Sequence, residues 1–374
     1  MRFQGWTIFA AVLAVPACAA ADGGPASGIA SCMTDAAREL GFNGSVYART
    51  GGVVVQRTFG TADADGRVKV TEHTRFSIGS AGKMFTAVAI GRLVDRGQVA
   101  FDAPIGRYLS GLEPQFARIT VAQLLNHTSG LGDYFVPQNK AAVDAAKTAT
   151  DLLPLVFAAP PAFAPGSARA YSNSGFAVLG AIIEKVAGMS YADFVQKEIL
   201  TPLHMTDSRL DAEGGAVPMS RMSMQGMLEK AKPSDLRQLR ASPAGGLYST
   251  AADMALFLSA LNDKGFLKPD TAAALLQPRA EPNGGSGVYG YGFNVRPAKP
   301  LRVGHGGGAP GVNAEIALYP ESGSELIALS NYDPPTATKM VGVLEKAMFA
   351  ADPVSACKSA LADPALYMQG GAHP

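Results

Sequence analysis

Apolar residues change their spacing along the chain, and the changes separate strand-forming ends from a helical middle. Residues 26–40 carry a helical pattern that Gly41 ends. Residues 45–49 and 53–58 are apolar, β-favouring runs joined by Thr50-Gly51-Gly52, the mark of a hairpin. Met84, Phe85, Val88, Ala89, Leu93 and Val94 then recur at helical spacing within residues 80–95. From about residue 97 to residue 285 the pattern predicts helices separated by Pro/Gly loops, among them 175–187, closed by Gly188, and 251–262. Strands return at 291–296 and 301–303, followed by a hairpin of 313–319 with 326–330 around Glu321-Ser322-Gly323-Ser324. A final helix is expected over residues 336–349.

Strands at both ends with helices between predict an α/β fold, a mainly antiparallel sheet flanked by helices with an inserted helical region. The expected parts are a discontinuous sheet domain of residues 26–82 and 286–362, a helical domain of residues 83–285 and a C-terminal tail of residues 363–374. Residues 1–21 read as a signal peptide: Arg2, an uncharged run from Trp6 to Val15, then Ala17-Cys18-Ala19-Ala20-Ala21. That run is too short to span a bilayer. Cleavage is expected after Ala19 or Ala21. Val15-Pro16-Ala17-Cys18 loosely resembles a lipobox, so a lipid anchor at Cys18 is the alternative. The reading is an exported protein, periplasmic or secreted, with no membrane span. Cys32 and Cys357 remain after cleavage, and an even pair in an exported chain predicts a disulfide. A sheet built from both chain ends would bring their helices to one face.

Composition narrows the function without naming it. Of 374 residues, 47% are hydrophobic and 17% charged, which excludes disorder as the main description. A net charge of +1 leaves no electrostatic footprint for nucleic acid or an anionic membrane. The five histidines show no metal-ligand spacing, and no cofactor is implied. Nothing in the pattern sets an oligomeric state.

Three short motifs could carry chemistry. Ser80-Ala81-Gly82-Lys83 opens a predicted helix, and a spacing of three puts Ser80 and Lys83 on one face. A serine hydroxyl becomes a nucleophile when a neighbour takes its proton, and a buried lysine can do so. Alone, this four-residue pattern is better explained by a helix N-cap at Ser80. Tyr171-Ser172-Asn173 precedes another helix. A tyrosine near a lysine can act as a phenolate-like base, although capping by Ser172 or Asn173 with Tyr171 in the core accounts for the same residues. His305-Gly306-Gly307-Gly308 follows a short strand; its glycines would let a substrate approach an exposed N–H, or simply form a turn with a solvated histidine.

Together the motifs say more. Their order and separation resemble the penicillin-binding-protein and class C β-lactamase superfamily of serine hydrolases, which includes family VIII carboxylesterases and D-amino-acid peptidases. Leu124-Leu125-Asn126-His127-Thr128-Ser129-Gly130-Leu131, Phe163-Ala164-Pro165-Gly166 and Ala244-Gly245-Gly246-Leu247-Tyr248-Ser249-Thr250 resemble it too, so the likeness runs from about residue 30 to residue 350. It implies Ser80 as nucleophile, Lys83 as its proton acceptor, Tyr171 as general base and acid, and Asn173 as a polar support. It also implies an oxyanion site from the N–H groups of Ser80 and Gly308, with Gly307 beside it. His305 stands where β-lactamases carry the lysine of K-[ST]-G, which disfavours a β-lactam carboxylate. His127 reads as a structural residue beneath the site.

Other patterns fail on context. Gly306 to Gly311 spells G-x-G-x-x-G, but Pro310 and a following strand exclude a dinucleotide fold. His305 to Gly308 spells H-G-G-G without any G-x-S-x-G; Gly188-Met189-Ser190-Tyr191-Ala192 is a near miss. Ser234-Asp235-Leu236 is not S-D-N, and Met219, Met222, Met224 and Met227 read as core fillers. The expected function is an exported serine hydrolase forming an acyl-enzyme on a small ester, amide or peptide. A carboxylesterase leads, with a D-amino-acid-directed peptidase or weak β-lactamase as alternatives and a sensor acylated without turnover as the non-enzyme reading.

Overall fold

A computed structural model describes residues 25–210, 214–222, 228–233, 242–263, 265–279 and 288–368. The expected signal peptide and Cys18, together with Met224, Met227 and Ser234-Asp235-Leu236, lie outside the described residues. Apolar runs from both parts of the chain meet in one sheet. Its strands are β1 (Gly44–Thr50), β2 (Val53–Phe59), β3 (Asn294–Arg296), β4 (Arg302–Ala309), β5 (Val312–Tyr319) and β6 (Ser324–Ser330). Their order is β2-β1-β6-β5-β4-β3, and every neighbouring pair is antiparallel. The seam between chain ends is β1 on β6, in register from Gly44↔Ser330 to Arg49↔Glu325.

Side chains alternate across this sheet, so its central strands β1, β5 and β6 feed two cores. Val46, Ala48, Leu326 and Ala328 face one side, where they pack with α1 (Pro25–Leu40), with a helix α5 (Thr336–Met348) and with a helix α6 (Pro353–Ala362). Tyr47, Ile316, Ile327 and Leu329 face the other. There they meet α2 (Lys83–Asp95), α3 (Asn173–Ala187) and α4 (Ala251–Asn262). Burial of both faces explains why β5 and β6 read as nearly continuous apolar runs. Among the described residues, no single helix is long and apolar enough to cross a membrane.

Three elements depart from the sequence reading. The helix expected from Ser80 begins at Lys83, because Gly79 sits at φ 51° and residues Gly79–Gly82 form a 3-10 turn instead. The short strand expected at 301–303 runs on through the glycines to Ala309, held by pairing with β5 from Val303↔Leu318 to Ala309↔Val312. Beyond the helix expected at 336–349 the chain forms another, α6, which contains Cys357; Asp352 caps it by accepting from Val354 and Ser355 N–H. A further short helix, Pro364–Met368, occupies part of the expected tail.

Cys32 of α1 and Cys357 of α6 form a disulfide, with Cα atoms 5.7 Å apart. It joins residues 325 positions apart, so its loss frees a long stretch of the unfolded chain. The Cys32→Ser/Cys357→Ser protein is expected to lose about 3–5 kcal/mol of unfolding free energy in urea titrations. A loss under about 1 kcal/mol would show that the bridge does not restrain the unfolded chain.

Candidate functional site

Ser80 is presented by a turn that two other segments clamp. Phe76–Ser77 pairs with Tyr248–Ser249, and Ile78 N–H donates to Leu247 O at 3.1 Å. On the other side β4 presses its backbone against the turn. A Cβ at Gly307 would strike the Ile78 carbonyl oxygen and come within 3.1 Å of Ser80 N. Only glycine lets the strand come this close, and the approach sets Gly307 and Gly308 beside the Ser80 main chain.

Lys83 is the first residue of α2, a helix apolar nearly all round and buried along most of its length, Lys83 included. Its Nζ donates to Asn173 Oδ1 at 2.8 Å and to Ala244 O at 2.7 Å, and lies 3.4 Å from Ser80 Oγ. Burial lowers this amine to about 7, with the more distant Asp133 carboxylate acting the other way. A neutral amine has two N–H bonds and one lone pair. Both N–H bonds have acceptors here, which leaves the lone pair for the Ser80 hydroxyl.

Tyr171 stands just before α3. Ser172 caps that helix by accepting from Gly175 N–H at 3.1 Å, which frees Asn173 to reach Lys83. Lys83 Nζ lies 4.7 Å from the centre of the Tyr171 ring. Burial pushes the Tyr171 phenol above its ordinary range, and the Ser80 hydroxyl beside it acts in the opposite direction. No hydrogen-bond partner for its Oη is found among the described residues. Burial thus favours the protonated form of this phenol.

His305 is buried within β4, not in a solvated turn. Its Nε2 meets the Tyr289 hydroxyl at 2.9 Å and its Nδ1 meets Gly306 O at 2.5 Å. An imidazole with its proton on Nδ1 fits both contacts. The rings of Tyr171 and His305 lie 6.5 Å apart. Next along the strand, Gly308 is exposed and paired with Asn313. The fold thus gathers Ser80, Lys83, Tyr171 and Asn173 around one amine, with His305, Gly307 and Gly308 on the adjoining strand.

Two residues in this arrangement have no sequence motif to announce them. Tyr289 anchors His305. Asn313, fully buried, donates to Gly307 O at 3.1 Å and accepts from Ala337 N–H at 2.7 Å, tying β4 to the start of α5. Ala244 stands in a recognisable stretch, but its part is played by a carbonyl oxygen that any residue could supply.

A beta-lactamase family model matches residues 17–344. Penicillin-binding protein 4* of Bacillus subtilis (strain 168) is 29% identical over 315 residues, covering 79% of this chain and 69% of that protein. Esterase EstB of Burkholderia gladioli is 31% identical over 287 residues, covering 67% and 73% respectively. The D-amino acid amidase of Ochrobactrum anthropi SV3, solved with L-phenylalanine amide, superposes with a TM-score of 0.74 at 25% identity, over 90% of this chain and 98% of that one. A family match across most of the chain, on a fold shared with a solved amidase, establishes that the protein belongs to the beta-lactamase family and is a serine hydrolase.

Proposed function

We propose that the protein hydrolyses a short-chain ester through an acyl-enzyme on Ser80. The carrying observation is the Lys83 amine: buried, lowered to about 7, and spending both N–H bonds on carbonyl oxygens while facing Ser80. As Ser80 Oγ attacks the substrate carbonyl, its proton passes to Lys83, and the main-chain N–H groups of Ser80 and Gly308 receive the oxyanion. The bond from acyl carbon to leaving oxygen then breaks. Tyr171 gives that oxygen its proton and is refilled from the Lys83 ammonium. In the second half, water attacks the acyl carbon while Tyr171 and Lys83 take its proton, and Ser80 leaves reprotonated.

Esters are favoured over β-lactams because of His305. Its two nitrogens are engaged by Tyr289 and Gly306, where a lysine would present a mobile cation to a substrate carboxylate. The ratio of kcat/KM for a short p-nitrophenyl ester to that for nitrocefin is therefore expected to be at least about tenfold, or roughly 1.4 kcal/mol. His305→Lys should narrow it, and an equal or reversed preference in the natural protein would refute the assignment. A second reading, a D-amino-acid-directed amidase or peptidase, is supported by the similarity to the D-amino acid amidase.

Assay of p-nitrophenyl esters, nitrocefin and D-Ala-D-Ala peptides, followed for both burst and steady state, separates these readings. A burst without turnover on every substrate would replace the hydrolase with an acylated sensor. The Cys32–Cys357 bridge supports export, since such bonds persist in oxidising compartments.

A further inference from the structure

Both main-chain neighbours of Tyr171 are held by a single residue far away in sequence. His127 accepts from Ala170 N–H through its carbonyl oxygen at 3.1 Å, and from Ser172 N–H through Nδ1 at 3.1 Å. Its ring lies 4.5 Å from that of Tyr171, centre to centre, and equally far from that of Tyr289 on another side. The residue is fully buried and sits at φ 64°, a left-handed conformation that only a small minority of residues other than glycine adopt, asparagine, aspartate and histidine most readily. Accepting at Nδ1 places the ring proton on Nε2. Burial holds the imidazole well below its ordinary range, so Nδ1 stays an acceptor.

A core histidine kept only for packing needs none of this geometry. We infer that His127 is a positioning residue for Tyr171, its Nδ1 and carbonyl oxygen fixing the chain on both sides of the tyrosine so that the phenol meets Ser80. The inference rests on the proton relay proposed above.

Two substitutions separate positioning from packing. Asparagine accepts the left-handed backbone and puts Oδ1 where Nδ1 stands, whereas glycine accepts the backbone and offers no acceptor. On a short alkyl ester, His127→Gly is expected to lower kcat at least about tenfold with KM within about threefold, and His127→Asn to keep kcat within about threefold. In a Tyr171→Phe background, His127→Gly should change kcat by less than about twofold, since its effect passes through the missing hydroxyl. An asparagine variant no better than glycine, or effects that multiply in the double variant, would overturn the inference. If the glycine protein does not fold, asparagine decides alone: retained kcat supports positioning, and a loss of about tenfold at an unchanged melting temperature overturns it. Fluorophosphonate labelling of the natural protein keeps the two ideas apart. A label absent from Ser80 counts against the proposed relay, while a labelled Ser80 with multiplicative effects counts against His127 alone.

Discussion

Replacing Lys83 with alanine is expected to lower kcat for a p-nitrophenyl ester by about 10²–10⁴-fold, the usual worth of a positioned proton acceptor. KM should stay within about threefold, because the amine is buried behind Ser80 and takes its part in the reaction and not in ground-state binding. The same residue sets a pH dependence whose direction follows from its burial. Only the neutral amine has a lone pair for the serine proton, and burial brings the amine to about 7. Lowering the pH through that value protonates Lys83 and removes the acceptor. In the natural protein kcat/KM should therefore rise with pH through about 7 and then level off. A profile flat across neutrality, or a Lys83→Ala protein with near-normal kcat and an intact fold, would remove Lys83 from the relay.

The second large effect is expected at Tyr171. Tyr171→Phe keeps the ring against His127 and Lys83 and deletes only the hydroxyl. A general acid is needed most where the leaving oxygen is a basic alkoxide, and least where it leaves as a stable nitrophenolate. The loss in kcat/KM should thus reach about 10²–10⁴-fold for an alkyl ester and be smaller for the p-nitrophenyl ester. Equal losses on both would mean that Tyr171 does not protonate the leaving group. Burial keeps the phenol protonated, so Tyr171 itself should add no break to the pH profile near neutrality.

Local pattern carries much of this fold, and the exceptions share a cause. The hairpin of β1 and β2 is plain from two apolar runs around Gly51-Gly52, and α4 occupies the residues 251–262 that its periodicity marks. The glycines of β4 hide a strand, because their strand propensity is low and only pairing with β5 and contact with the Ser80 turn hold them extended. The site divides in the same way. Ser80, Lys83, Tyr171 and Asn173 stand in motifs that bear their own spacing. The groups that hold them, His127 on Ala170 and Ser172, Asn313 on Gly307 and Tyr289 on His305, act by contacts that no local pattern encodes. His127 is visible within a family-like stretch, but what it holds becomes apparent only in three dimensions.

The central claim is that Ser80 is the residue acylated during turnover. Treating the full chain with a fluorophosphonate and mapping the adduct by mass spectrometry tests it most directly. Ser129, Ser190 and Ser249 are the alternatives within reach of the same digest: Ser129 and Ser249 are buried, and Ser190 caps a helix by accepting from Asp193 N–H. The account predicts one adduct, on the peptide carrying Ser80, and its disappearance together with esterase turnover in Ser80→Ala. An adduct on any of the other three, or turnover that survives in Ser80→Ala, would contradict it.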